Sequence, residues 1–185
     1  MEVLEAIYTR QSVGKVSAEP VAREVIEQLL GAAVQAPNHY KVRPWWFVVL
    51  SGAARERLGA VMAASLKQNN PEIPESALVN EAAKPLRAPV IIAVGIHLVE
   101  DPRAIEIENI CAAAAAVQNI LLTATSLGLA SMWRTGPAAY DPLVLAFLGF
   151  VPGEHLIGFI YLGYPDVPRP PVQRPGFEDR TVWME

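Results

Sequence analysis

The stretch DPRAIEIENICAAAAAVQNILLTATSLGL, residues 101–129, decides the fold that we predict for this chain. Asp101 is a residue type that caps helices, and Pro102 suits a first turn, where its missing N–H costs nothing. Residues 110–122 are apolar except for two amides, and Gly128 supplies the usual stop after the last periodic residue. Because a helix that is apolar all round must be buried all round, the stretch predicts a completely buried central helix.

This helix could be buried in a membrane or in the core of a protein. A membrane span needs roughly 18 or more consecutive apolar residues, and Gln118, Asn119 and Thr123 interrupt the run. The alanines also make a slim helix, which suits close approach by other protein backbones. We therefore interpret the stretch as the core helix of a soluble domain. Packing inside one monomer and packing against its twin in a dimer both fit the spacing.

Composition limits the classes of protein to consider. The 185 residues fit one domain; 52% are hydrophobic and 18% charged, with a mean hydropathy of +0.25. Such surplus apolar surface indicates an obligate interface or a large ligand held inside. A net charge of −4 argues against nucleic acid as the main partner.

The cysteine count and the N-terminal sequence indicate the cellular compartment of the protein. Cys111 is the single cysteine, so no internal disulfide can form, and its apolar surroundings predict a buried structural thiol. Residues 1–12 carry acids and lack the basic start and apolar run of a signal peptide. We expect a cytoplasmic protein.

Periodicity predicts further helices and strands around the central helix. Strand 45–50 is apolar on both alternating faces, so we expect it to be covered on both sides. Residues 164–185 are rich in proline and predict an extended tail that lies across its own domain or a partner subunit. The other predicted elements are helices at 3–10, 21–34, 52–68, 76–84 and 141–147 and strands at 88–96, 130–133 and 156–162.

This order of elements favours an α+β layered domain with a small mixed sheet. A doubly wound parallel fold is the alternative. It is weakened because no GxGxxG motif follows any predicted strand, so the dinucleotide fingerprint is absent from the sequence.

The motifs of hydrolytic and metal enzymes are absent from the sequence. His39, His97 and His155 are isolated, without a partner at metal-ligand spacing. The sequence also contains no GxSxG elbow, phosphate-binding GKS or GKT loop, or CxxC. An enzyme built on this chain would need a cofactor to supply its reactivity.

Three short patterns could hold an anionic, flat cofactor. Arg10 with Ser12 offers a guanidinium and a hydroxyl just past a helix, and Asn38 with His39 lies in a loop before a strand. Residues 133–136, WRTG, place a cation at a strand end. Taken singly, each pattern also fits a plain structural role, such as a surface cation at a helix end or an exposed loop histidine.

Six motifs occur in one order along the chain: R-x-S at 10–12, APNH at 36–39, RPWxF at 43–47, the alanine-rich helix ending at Gly128, WRTG at 133–136 and GFxYLG at 158–163. This order and spacing resemble the FMN-dependent nitroreductases, and most of all the short bacterial NAD(P)H nitroreductases. The resemblance covers the chain from Met1 to about Pro165.

The resemblance implies a fold, a cofactor and an activity. It implies a nitroreductase-like α+β fold, a mixed sheet flanked by helices around a central buried helix, in an obligate homodimer with two flavin sites at the interface. Residues 1–185 would form a single FMN-binding domain with 164–185 as its tail. The implied activity is ping-pong hydride transfer from NAD(P)H to electron-poor acceptors such as nitroaromatics or quinones, with the chemistry carried by FMN rather than by a catalytic side chain.

The resemblance also assigns site residues. Arg10 and Ser12 would hold the flavin phosphate and ribityl region, and His39 would touch the flavin from the partner subunit. Trp133, Arg134 and Thr135 would complete the site. The nicotinamide cofactor would meet the end of the core helix, at Thr123, Ala124, Thr125, Ser126, Leu127 and Gly128.

Two positions depart from the family. Gln11 stands where the family usually has a second arginine, and Gln35 stands where the short bacterial forms have an arginine. Both are still expected to contact the flavin through hydrogen bonds. Each replacement removes one formal charge, and an FMN phosphate carries close to two negative charges, so FMN affinity is expected to fall. Two other functions stay open at this point: a homodimer that binds flavin or another flat ligand without turnover, and a purely structural dimerisation module.

Overall fold

The computed structural model describes residues 1–167, 170 and 172–185; the predicted tail therefore includes three residues outside the described ones. Every predicted element is present, and apart from the central helix the ends agree within two residues. The helices are α1 (Val3–Thr9), α2 (Arg23–Ala33), α3 (Ala53–Asn69), α4 (Glu75–Ala83), α5 (Glu106–Ser126) and α6 (Pro142–Phe147), and the strands are β1 (Trp45–Ser51), β2 (Val90–Ile96), β3 (Ala130–Arg134) and β4 (His155–Gly163).

The four strands form one antiparallel sheet in the order β1-β2-β4-β3. The α+β class is therefore confirmed, while the prediction of a mixed sheet and the parallel alternative are wrong for the named strands. Apolar runs predict that strands are buried, but they carry no information on strand direction. Among the described residues, the parallel pairing is a single bridge between Ser12 and Ser131.

Two apolar cores lie on opposite faces of this sheet. On one face, α2 and α5 cover residues such as Ile92 and Ile160, and on the other, α3 and α6 cover Ile91 and Phe159. Every residue of β2 is buried, as the sequence predicts. The sheet is therefore the middle layer of three, with β2 and β4 at its centre.

Strand β1 is half-exposed, which contradicts the prediction that both of its faces are covered. Trp46 is 47% exposed and Val49 is 40% exposed. Because β2 is the one partner of β1 among the described strands, β1 forms an edge of the sheet where the covering layers end. A continuous apolar run does not distinguish an edge strand from a central one.

The central helix begins at Glu106 rather than at Asp101. Ile105 occupies the N-cap position without a side-chain cap, so the prediction that Asp101 caps the helix is wrong. Asp101 instead accepts hydrogen bonds from the Arg103 backbone (2.9 Å) and guanidinium (2.8 and 3.0 Å). The end is as predicted, since Gly128 follows the helix with φ +76°.

Helix α5 is buried on one face only. A stripe that includes Ile107, Cys111, Gln118 and Ser126 is exposed, so the predictions of all-round burial and of a buried thiol are wrong for the single chain. By length and composition α5 could cross a membrane, but its other face packs on the sheet and α2. That arrangement is the one expected of a core helix in a soluble fold.

A buried carboxylate, Glu154, joins the end of β2 to the start of β4. It accepts hydrogen bonds from the backbone N–H groups of Leu98 (3.0 Å) and Val151 (2.9 Å) and lies 2.5 Å from Nδ1 of His97. Burial raises the pKa of Glu154, but the hydrogen bonds from Val151, His97 and Leu98 and the charge of His97 outweigh it. The pKa is therefore held below its usual value of 4.5.

We expect Glu154→Gln to remove a pH-dependent part of the stability. Because the folded-state pKa is lowered, the carboxylate stabilises the fold fully above its unfolded pKa and less as the pH falls through the folded value. An amide matches this set of donors poorly, so the variant should lose about 1–3 kcal/mol of unfolding free energy at neutral pH. Urea unfolding of both proteins across the acid range should show the two stabilities converging at low pH. A difference that does not change with pH would contradict this assignment.

Candidate functional site

The segment after α1 runs along the edge of the sheet. Ser12 forms a parallel bridge with Ser131 of β3, and the Val13 N–H donates to the Ser131 carbonyl at 2.9 Å. Ser12 and Gly14 remain exposed on the other side of this segment. The structure therefore brings the predicted residues 10–12 alongside the strand that carries the predicted residues 133 and 134.

The Arg134 guanidinium lies over this segment without an acidic partner among the described residues. One of its terminal nitrogens lies 3.3 Å from the place that a Cβ on Gly14 would take, and its Cζ lies 5.2 Å from the centre of the Tyr161 ring. Its Nε is buried and makes no hydrogen bond within the described part of the chain. An unsatisfied buried donor on a cation is costly, so the site is suited to an anionic or acceptor-rich ligand.

A second guanidinium, Arg174 of the tail, lies beside Arg10. It donates to the carbonyls of Tyr8 (3.4 Å) and Arg10 (2.5 Å). Burial and the nearby positive charge of Arg174 lower the pKa of Arg10. The side chain of Gln11 donates to the Pro170 carbonyl at 2.7 Å. The tail is thus fastened to residues 8–11, and two cations lie together at the end of α1.

The Trp133 side chain lies on the opposite face of the sheet from Arg134, because successive residues of a strand alternate. Its Nε1 donates to the Ile157 carbonyl at 3.1 Å. A Cβ on Gly158, which has φ +148°, would lie 2.4 Å from Nε1. Trp133 and Thr135 line a cavity of about 420 Å³ with Ala114 of α5.

Gln35 and His39 lie apart from the first group, beside the exposed stripe of α5. Gln35 donates to the Gly31 carbonyl at 3.4 Å and lines a cavity of about 390 Å³ with Thr123 and Ser126. Nδ1 of His39 lies 2.7 Å from Oε2 of Glu108. Within one chain, therefore, the predicted flavin residues do not form a single group.

The predicted nicotinamide segment is the last turn of α5 and its C-cap. The N–H of Leu127 bonds to the Thr123 carbonyl, and the N–H of Leu129 bonds to the Ala124 carbonyl. The Ala124 side chain is fully buried, whereas Thr125 lines a cavity of about 510 Å³ together with Gln11. The side chains of Thr123, Thr125 and Ser126 line cavities and are therefore accessible to a ligand.

Comparison with known proteins decides the family. The model of the nitroreductase family matches residues 7–164, most of the chain. The chain belongs to the nitroreductase family. A candidate NAD(P)H nitroreductase, YfhC of Bacillus subtilis, is 30% identical over 181 residues, which cover 97% of this chain and 93% of that protein.

Solved nitroreductase structures agree with this fold. A nitroreductase-like family protein from Bacillus cereus superimposes with a TM-score of 0.85 at 26% identity, covering 100% of this chain and 97% of that one. A candidate nitroreductase from Desulfovibrio desulfuricans, solved in complex with FMN, superimposes with a TM-score of 0.77 at 24% identity, covering 100% of this chain and 98% of that one. This second likeness shows the fold alone. Family membership and the named relatives support an oxidoreductase.

The sequence did not reveal two residues that the nitroreductase fold brings to these groups. Arg174 reaches Arg10 across 164 positions, and Glu108 reaches His39 across 69. No local motif marks either contact. The sequence does show that Arg174 lies in an extended, proline-rich tail. Such a tail places a cation on the surface that it crosses, but the sequence does not say which surface that is.

Proposed function

We propose that this nitroreductase-family protein is an FMN-dependent NAD(P)H oxidoreductase. The observation that supports the proposal is the set of guanidinium groups along residues 10–14, where Arg10, Arg174 and Arg134 have no acidic partner among the described residues. Like charges that lie close together repel, and a bound anion would offset that repulsion.

The residues fit the shape of FMN. Arg10 with Arg174 would hold the phosphate, Ser12 the ribityl chain and Arg134 the pyrimidine edge of the ring. Gly14 follows Arg10 by four positions, so the two ends of this segment are at most about 13 Å apart. Such a length suits a ligand with a phosphate at one end and a ring at the other.

Arg174 offers a physical answer to the departure at position 11. The family has arginine there, while Gln11 of this chain uses its amide to hold the tail at Pro170. The tail in turn brings the Arg174 guanidinium to the carbonyl of Arg10. A charge absent from residue 11 is thereby supplied from the tail, so we expect little loss of phosphate affinity.

The protein contributes placement and electrostatics to the proposed reaction. Bound FMN would supply hydride transfer, in a ping-pong sequence, from NAD(P)H to an electron-poor acceptor such as a nitroaromatic or a quinone. Arg134 would stabilise negative charge at the ring edge, because an ion pair in a partly buried site is strong. Trp133 and Thr135 would complete the flavin site, and residues 123–128 would meet the nicotinamide cofactor.

The proposal includes a homodimer with residues 1–185 as one domain and a cytoplasmic location, where NAD(P)H is available. Val3 of α1 is exposed and lines one cavity together with Ser126 of the exposed stripe of α5. In the tail, Phe177 and Trp183 are exposed as well. A second copy would cover these surfaces and bring His39 and Gln35 to the flavin of its partner.

Turnover tests this function directly. We expect the purified protein with FMN to oxidise NADH or NADPH steadily when a nitroaromatic or a quinone is supplied. Without added acceptor, oxidation should be slow. Omission of the protein, with free FMN alone, is the control. FMN binding without acceptor-dependent oxidation would indicate a non-catalytic flavin-binding homodimer instead. Absence of both would reject the proposal.

A further inference from the structure

The loop that carries His39 is held in a costly backbone conformation. Tyr40, Lys41 and Arg43 have φ values of +49°, +57° and +51°, in the left-handed region that residues with a Cβ avoid. The carbonyl oxygen of the Asn38 side chain accepts a hydrogen bond from the Arg43 N–H at 2.9 Å. Surrounding contacts must therefore fix this loop, because residues with a Cβ are strained in the left-handed region.

An ordered series of side chains fixes one side of the loop. The His39 ring stacks on the Tyr40 ring, with centroids 4.0 Å apart and an angle of 19° between the planes. The Arg103 guanidinium lies over the Tyr40 ring, 4.4 Å from its centroid, and Asp101 holds Arg103 by two side-chain hydrogen bonds. The segment that precedes α5 is thus connected to the His39 ring through the side chains of Arg103 and Tyr40.

Glu108 fixes the other side. It lies in the first turn of α5, and its Oε2 lies 2.7 Å from Nδ1 of His39. An ionised carboxylate only accepts hydrogen bonds, so the hydrogen of this pair lies on Nδ1. In neutral His39, Nε2 is then an acceptor, and no side chain or backbone group of the described residues hydrogen-bonds to it.

We propose that Glu108 is a positioning residue, which sets the ring orientation and tautomer of His39 so that Nε2 accepts a hydrogen bond from bound FMN. The inference rests on the proposed function, with the flavin held at the seam with a second copy. The ligand group would be an O–H of the ribityl chain or an N–H of the ring, since Nε2 has a lone pair and no hydrogen. Tyr40 and Arg103 assist by supporting the ring from one face.

A plain structural role for the same pair makes a different prediction. If Glu108 only ties the loop to α5 through its contact with His39, its removal loosens the loop and leaves FMN affinity unchanged. If it positions the ring, its effect on FMN requires that imidazole. Glu106 provides a matched control two residues away, because it pairs with His155 at 2.7 Å instead of with His39.

The first test measures the His39 tautomer in cofactor-free protein by ¹⁵N NMR of labelled histidine. We expect the Nδ1–H form in the native chain and in Glu108→Gln, whose amide oxygen still accepts from Nδ1. Glu108→Ala should shift the ring toward the Nε2–H form. Glu106→Ala should change the signal of His155 alone. An unchanged His39 signal in Glu108→Ala would overturn the proposal whether or not FMN binds.

The second test measures FMN affinity by fluorescence quenching. Glu108→Ala should weaken FMN by about tenfold, the loss expected of one hydrogen bond, while Glu108→Gln stays within about threefold. His39→Ala should weaken FMN by a similar factor, and the double variant by no more than either single one. Unchanged FMN affinity in Glu108→Ala would indicate a purely structural role, and a further loss in the double variant would show that Glu108 acts on FMN independently of His39; either result would overturn the proposal. A native chain that binds no FMN would instead reject the function, and the tautomer would still decide the positioning.

Discussion

Replacing both Arg10 and Arg174 by alanine is expected to lower FMN affinity by about a thousandfold. Each guanidinium would contribute a charge-assisted hydrogen bond to the phosphate, and such bonds are worth roughly 1.5–3 kcal/mol each. Since 1.4 kcal/mol corresponds to about tenfold in affinity, each single variant should lose about 10- to 100-fold. FMN fluorescence titration of the two single variants and the double variant measures this.

Arg180→Ala is the matched control for the tail. Arg180 lies six positions after Arg174 and pairs with its neighbour Asp179 at 3.6 Å, so its loss should leave FMN affinity unchanged. Salt should weaken native binding more than it weakens binding by the double variant, because screening acts on the charged contacts. Native affinity in Arg174→Ala would show that the tail does not supply the charge missing at Gln11.

Gly59→Ala is expected to destabilise the fold by about 3 kcal/mol or more. A Cβ on Gly59 of α3 would lie 2.1 Å from the carbonyl oxygen of Ala82 in α4. The conflicting atom belongs to the backbone, so the two helices must separate and the core beneath them must repack. Overpacking of this kind costs about 1–3 kcal/mol or more. Urea unfolding compares the free energies.

Gly31→Ala is the matched control, since Gly31 also lies inside a helix but has nothing within 4 Å of the place that a Cβ would take. Alanine has the higher helix propensity, so this variant should be more stable by about 0.5–1 kcal/mol. The same chemical change thus has opposite signs at the two positions. Equal effects would show that helix propensity rather than the close approach of α3 and α4 decides the outcome.

The helices and strands were predictable because their apolar spacing is local information. The start of α5 was not, because Asp101 and Pro102 suit a helix start as well as they suit the turn that they form. In the folded chain the Asp101 carboxylate accepts hydrogen bonds from Arg103 and is therefore not available to cap a helix. The exposure of strand β1 was not predictable for a similar reason, since its place at the sheet edge depends on pairings made far along the chain.

The candidate site likewise contains some residues that the sequence predicts and others that it does not. Arg10, Ser12 and Arg134 stand in short motifs, so the resemblance to the nitroreductases assigns them from the sequence alone. Arg174 and Glu108 make contacts between distant segments, which only the folded chain brings together. The exposed stripe of α5 is the opposite case: composition predicts that it is covered, and the single chain leaves it open.

The measurement that tests the central claim most directly is FMN stoichiometry. Purified chain is mixed with excess FMN and passed through a gel-filtration column, and the absorbance of flavin and protein is read in the eluted peak. We expect a yellow peak with about one FMN per chain, and its loss from the Arg10→Ala, Arg174→Ala double variant. A colourless native peak, with the protein folded and no flavin retained, would contradict it.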